Sequence, residues 1–217
     1  MTVEPTDDLR LPPLISAARL STYQTACAGD LTQAMRLYAW NIEASAAAWG
    51  GFCVLEVSLR NSINMQLESF TGRADWWSSL QVVLHAEQSD AISAASLGGA
   101  SPGSVVASLT FGFWTSLLAN RYHKALWVPA VHLAFPGYSG RRGALQQELE
   151  SLRRLRNRIA HHEPVFNRDL AADHRSVLRV LGWISPAAQA WVEHDSRLPA
   201  VIAARPDAVS GKRSTFF

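Results

Sequence analysis

Cysteine is scarce: Cys27 and Cys53 are the only two in 217 residues, and they lie far apart in the chain. A disulfide-stapled secreted scaffold would need more, so two reduced thiols in a cytosolic core are expected. The opening stretch, MTVEPTDDLRLPPL, is acidic and contains proline, unlike the basic-then-apolar pattern of a secretory leader. Long uninterrupted apolar runs are also missing. The best candidate, ALWVPAVHLAF at 125–135, is broken by Pro129 and His132 and falls short of the roughly 20 residues that span a bilayer. A soluble, cytoplasmic protein with no membrane partner is the expectation. Charge of one sign is lacking too: 20 Lys and Arg against 18 Asp and Glu give a formal net charge of +2. Nucleic-acid binding therefore has to be argued from a local cluster rather than from bulk charge. Strand-like alternation is absent, as are fixed-period repeats and low-complexity tracts. The glycines at 98, 99 and 103 precede no G-K-[ST], which excludes a nucleotide-binding P-loop.

What the chain does have is apolar content, 48% against 18% charged, and helical spacing almost throughout, so an all-α fold with a real core is expected. A first helix is read over 14–28. Asp30 is placed to cap a second, running through Leu31, Ala34, Leu37, Tyr38 and Ile42. Gly50-Gly51 then reads as a break or a close helix contact. A third helix carries Phe52, Leu55, Leu59, Ile63 and Leu67 on one stripe and ends before Gly72. Helical pattern continues over 74–97. GGASPGS reads as a loop with Pro102-Gly103 as a turn, and 105–127 as a further aromatic-rich helix. Residues 144–162 have the clearest pattern, with Leu145, Leu149, Leu152, Leu155 and Ile159 at helical spacing. Helices near 168–182 and 186–195 complete the set. The organisation expected is an N-terminal extension over 1–29, a helical domain over 30–198 and a flexible tail over 199–217.

One short stretch concentrates chemistry: LRNRIAHHEPVF, residues 155–166. Pro164 disfavours helical dihedrals at Glu163, so the helix should stop near His162. His161 and His162 then sit in its last turn, where unpaired carbonyls favour a cation, and imidazole titrates in the range useful to a general acid or base. Residues four apart lie about 40° apart around a helix, so Asn157 stacks under His161 and Arg158 under His162, while Arg156 is offset from both. The stripe of Leu152, Leu155 and Ile159 turns to the core and leaves Arg153, Arg154, Asn157 and His161 on a more open side. Three readings remain open on these residues alone. One is a solvated basic face with a capping histidine. Another is a metal site, disfavoured because adjacent histidines diverge and no further ligand set accompanies them. The third is phosphodiester chemistry, with histidine moving a proton, arginine holding a phosphate and asparagine orienting a neighbour.

The segment RLRNRIAHHEPVF resembles the R-N-x3-H signature of the HEPN superfamily, in the form carried by Abi-like (abortive infection) proteins of bacteria. LYAWNIEASAAAWGGFCVLEVSLRNSI is similar to the N-terminal helices of that family, and SPGSVVASLTFGFWTSLL to its central segment. Together they cover roughly residues 30 to 185. The resemblance implies a helical bundle whose motif helix meets its counterpart in a symmetric homodimer. It also implies RNA cleavage without metal or cofactor, in which the ribose 2′-hydroxyl attacks the adjacent phosphorus. Arg156, Asn157 and His161 match the motif, with His162 as the alternative histidine. A dimer would gather Arg153, Arg154, Arg156 and Arg158 of both copies into a basic groove for RNA. An antitoxin, protein or RNA, is a further implied partner, and a non-catalytic module binding RNA or protein is the alternative function.

The echo SLRNSI at 58–63 places Arg60 and Asn61 either on the same cleft or against the motif helix, or else, as the favoured bracing role, as a buried polar pair satisfying helix backbone and Glu56. Trp76, Trp77 and Trp114 are expected in core or interface rather than as base-stacking platforms. His85, His123, His132, His174 and His194 are isolated, and Arg141 and Arg142 lie in a loop read as solvated.

Overall fold

A computed structural model describes residues 10–217, and among them every regular element is helical. The order begins with α1 (Pro12–Ile15), α2 (Ala17–Ala26) and the long α3 (Leu31–Thr71). Three helices follow, α4 (Ala86–Ala95), α5 (Pro102–Ser108) and α6 (Phe111–Ser116), and then short helical turns over 120–134. The chain continues with α7 (Arg142–Ala160), α8 (Leu170–Ile184) and α9 (Pro186–Asp195), and closes with α10 (Leu198–Ala203) and α11 (Arg205–Ser210).

The second and third expected helices are one. Asp30 caps it as read: its Oδ1 accepts the Gln33 N–H at 2.9 Å. Gly50-Gly51 neither breaks the helix nor marks a tight contact at Gly50, where an added Cβ would meet no atom within 4 Å. Two glycines cost a helix only about 2 kcal/mol together, and no proline stands between the apolar stripes on either side. The end falls where expected, with Gly72 at φ +70° donating its N–H to the Glu68 carbonyl. By length and composition α3 is long and apolar enough to cross a membrane, a property that the core helices of soluble proteins share. Glu43, Glu56 and several small or polar residues interrupt the apolar residues of α3, so no uninterrupted run marks it in the sequence.

Two other expectations give way to local capping. Ser101 accepts the Ser104 N–H and Pro102 occupies the first turn of α5, so SPGS starts a helix rather than a turn. Thr110 caps α6 by accepting the Phe113 N–H, which splits the aromatic run. Over 74–97 only a short turn at Trp76–Ser78 and α4 are helical; the His85 N–H between them donates to the Tyr122 hydroxyl at 3.0 Å.

The chain divides into two compact units. Unit 1 takes the residues up to Gly51, Leu155–Arg175 and Asp195–Phe217; unit 2 takes Phe52–Arg154 and Ser176–His194. In unit 2, the predicted stripes Phe52, Leu55, Leu59, Ile63, Leu67 and Leu145, Leu149, Leu152 are all buried, together with Trp76, Trp114 and Tyr122. Trp76 Nε1 donates to Asn64 Oδ1 at 2.9 Å. In unit 1, Tyr23 is buried between Tyr38 and Phe166 at ring distances of 5.2 and 4.9 Å. That burial pushes the Tyr23 hydroxyl up to about 12. The stretch expected as a flexible tail forms α10 and α11 instead. Leu198, Val201 and Ala208 are buried, and Trp40 Nε1 donates to the Val201 carbonyl at 2.9 Å. Arg213 makes two bonds, of 3.0 and 2.8 Å, to the carboxylate of Glu43, which is 1% exposed. A short terminus with few large apolar residues gives little periodicity to read; Val201 and Ala208 are inserted into the core, while Phe216 and Phe217 stay exposed.

Candidate nucleic-acid site at the end of the motif helix

The α7 helix ends at Ala160, two residues short of the expected His162, because its last residues close in a Schellman motif. The His162 N–H donates to the Ile159 carbonyl at 3.0 Å, and the Glu163 N–H to the Arg158 carbonyl at 2.8 Å. This requires a left-handed residue, and His162 supplies it with φ +56°. Glycine is the usual occupant of such a position, and among L residues histidine is one of the more tolerant. Replacing His162 by glycine is therefore expected to stabilise the protein by about 0.5–1 kcal/mol, read as a higher thermal midpoint. A midpoint that falls would mean that the imidazole itself holds the turn.

The loop after the helix is fixed from three sides within unit 1. Arg19 of α2 donates to the His162 carbonyl, and Arg158 donates to the Pro164 carbonyl and lies 3.6 Å from Glu163. Asn41 of α3, 4% exposed, accepts the N–H groups of Val165 and Phe166 at 2.7 and 3.1 Å through one oxygen. The Asn41→Leu change strands both buried donors and is expected to cost about 2–4 kcal/mol, measured by urea unfolding. A cost under about 1 kcal/mol would show that water can replace the carboxamide.

His161, His162 and Glu163 are exposed at this end, while Arg156, Asn157 and Arg158 are half-buried. Asn157 and His161 stand one turn apart, the His161 N–H donating to the Asn157 carbonyl at 2.9 Å. The Arg156 guanidinium lies 5.4 Å from the ring centre of Trp49 on α3, and that indole is 37% exposed. Trp49 was not singled out from the sequence. Its signal was weak, an aromatic residue immediately before the glycine pair; Trp40, Trp76 and Trp114 are core, while Trp77, Trp127 and Trp183 are half-buried and Trp191 is exposed.

The remaining predicted residues belong to unit 2. Arg153 makes a bidentate pair with Glu150 at 2.8 and 2.7 Å, and Arg154 lies 3.6 Å from the same carboxylate. Hydrogen bonding to Arg153 holds Glu150 below the usual carboxylate range, and the partner guanidinium is raised in turn. Two of the arginines assigned to a basic groove are thus engaged by a carboxylate one turn back on their own helix. Arg60 Nη1 donates to the Ala107 carbonyl at 2.9 Å, tying α3 to the end of α5. Asn61 is exposed and Arg60 half-buried, so they are not the buried pair expected. His85 packs edge-on to Tyr122, and His132 Nδ1 is 3.0 Å from the Trp127 carbonyl. Among the described residues, no group of three or more His, Cys, Asp or Glu side chains is placed to hold a metal ion.

Set against family models, curated proteins and solved structures, the chain finds no match.

Proposed function

We propose that the chain is a metal-independent endoribonuclease of the HEPN type, acting in the cytoplasm as an abortive-infection or toxin effector. The observation that carries this reading is the exposure of both His161 and His162 at the end of α7, with Arg156 in the turn before them against a partly exposed indole. An imidazole there takes the proton of a ribose 2′-hydroxyl, and a guanidinium fork holds the phosphate under attack. The products are a 2′,3′-cyclic phosphate and a free 5′-hydroxyl. DNA lacks the attacking group and is not a substrate.

A homodimer belongs to the proposal for a geometric reason. Along one regular helix the five-residue step from Arg156 to His161 turns about 140°, so the pair does not converge on a single phosphate. Two copies facing each other supply arginine and histidine from opposite sides. Trp49 offers a base a stacking surface beside Arg156. An antitoxin, protein or RNA, would neutralise such a protein by covering this end of α7. The test is incubation of the purified protein with transfer, messenger and phage RNA in excess chelator. Scission leaving cyclic-phosphate ends supports the proposal. RNA retained without scission leaves only a binding module, and no retention at all removes the RNA reading.

A further inference from the structure

Unit 1 contains a second feature that the motif does not use. A cavity of about 550 Å³ opens beside the N-terminal turns of α3 and the start of α11, with Arg36 and Arg205 on its wall. Arg205 is half-buried, its guanidinium set 4.9 Å from the Trp40 ring and 5.8 Å from that of Phe166. A guanidinium carries five N–H donors. One of these, on Nη1, goes to the Phe166 carbonyl at 2.8 Å, and no carboxylate of the described residues pairs with this cation. Partial withdrawal of this charge from water, with no carboxylate against it, pushes the Arg205 pKa down.

The other groups on the wall do not neutralise it. Asp30 lines the cavity and is ionised, held below the usual carboxylate range by hydrogen bonds from the Gln33 backbone and side chain, each at 2.9 Å, and by the charge of Arg36 rather than that of Arg205. Cys27 is a free thiol, and burial and the charge of Asp30 both push its pKa up, so it remains neutral. Arg36 lies against Gly211, where an added Cβ would come within 2.4 Å of its Nη1; the left-handed φ of +78° there is one that glycine adopts readily. Thr32, Gln33 and Ser210 add polar groups, and the remaining wall includes Leu37 and Val209. The Arg205 guanidinium, with the Thr32 and Ser210 hydroxyls on the same wall, suits an anion with more than two oxygens, and the volume suits a small organic molecule.

We infer that this cavity binds the phosphate group of a phosphomonoester, with Arg205 as its principal partner. The source is either a free mononucleotide or the 5′ end of an RNA. The test uses the Cys53→Ser protein, in which Cys27 is the one remaining thiol. Adenosine monophosphate and a 5′-phosphorylated trinucleotide are titrated by calorimetry, each beside its dephosphorylated form, and the rate of Cys27 alkylation is followed in parallel. Binding of a phosphorylated probe, slowed alkylation and a loss of about tenfold or more in Arg205→Gln support the site, and the stronger of the two probes names the source. If Arg205→Gln fails to fold, Ser210→Glu places a carboxylate in the cavity instead. That variant should melt higher without ligand and lose probe binding. Equal binding of the dephosphorylated probes, or no binding and no protection by either phosphorylated one, overturns the inference. Neither readout involves RNA scission, so its outcome is independent of the ribonuclease proposal.

Discussion

His161→Ala protein is expected to lose RNA cleavage by about 10²–10⁴-fold, the range a positioned general acid or base contributes, while its unfolding free energy moves by no more than about 0.5 kcal/mol. Both halves follow from position. His161 is exposed at the cap of α7, and the backbone bonds that close the helix come from its neighbours, His162 and Glu163. Arg156→Ala should lose as much activity, but it also removes the guanidinium from the face of Trp49 and so costs a little stability, about 0.5–1 kcal/mol. Arg156→Lys separates fork from charge: it keeps the cation over the ring and loses the bidentate hold on phosphate, and should remain strongly impaired. The His162→Gly protein serves as the comparison, since it is expected to be more stable and still active. Loss of cleavage in His162→Gly with retention in His161→Ala would exchange the two histidines in the mechanism. Cleavage undiminished in both, and in Arg156→Ala, would sink the assignment of chemistry to this helix end.

Arg213→Ala is expected to be the most damaging change to the fold, at about 3–5 kcal/mol. Its side chain is one-third exposed, but the carboxylate it holds is not: Glu43 lies inside unit 1 with both oxygens bonded to the guanidinium. Removing arginine leaves a buried negative charge without a partner, whereas removing both members leaves only a gap. The Glu43→Leu, Arg213→Ala double variant should thus recover more than half of the loss. Denaturant unfolding of the three proteins measures this directly. Equal stability of Arg213→Ala and the parent would mean that Glu43 reaches water or binds a proton without penalty.

The legible parts of this protein are those governed by periodicity. The leucine stripe of α7 and the Phe52–Leu67 stripe of α3 carry enough apolar residues at 3.6 spacing to declare both the helix and its buried face. Asp30, Gly72 and Pro164 marked helix ends within a residue or two. Gly50-Gly51 misled because glycine's cost in a helix, about 1 kcal/mol each, is smaller than what tertiary packing on either side recovers. At the candidate site the sequence revealed which side chains are neighbours along α7 but not what holds the following loop. That part depends on Asn41 and Arg19, more than 100 residues away. The pairing of Glu150 with Arg153 was readable in principle from its i, i+3 spacing. Counting arginines as a groove overlooked it.

The division of the chain has a temporal consequence. The part of unit 1 around the candidate histidines is built from an early segment, a middle one and one that includes Val201, Ala208 and Arg213. On a ribosome, α3 emerges long before, and the motif stretch still ahead of, the residues that fill the core behind them, and Glu43 waits for Arg213 across 170 positions. Segments this distant pair late. A nascent chain therefore exposes the motif without the scaffold that positions it. If the proposed activity harms the cell that makes it, synthesis itself imposes a delay, and a chain stopped before Arg213 would be harmless.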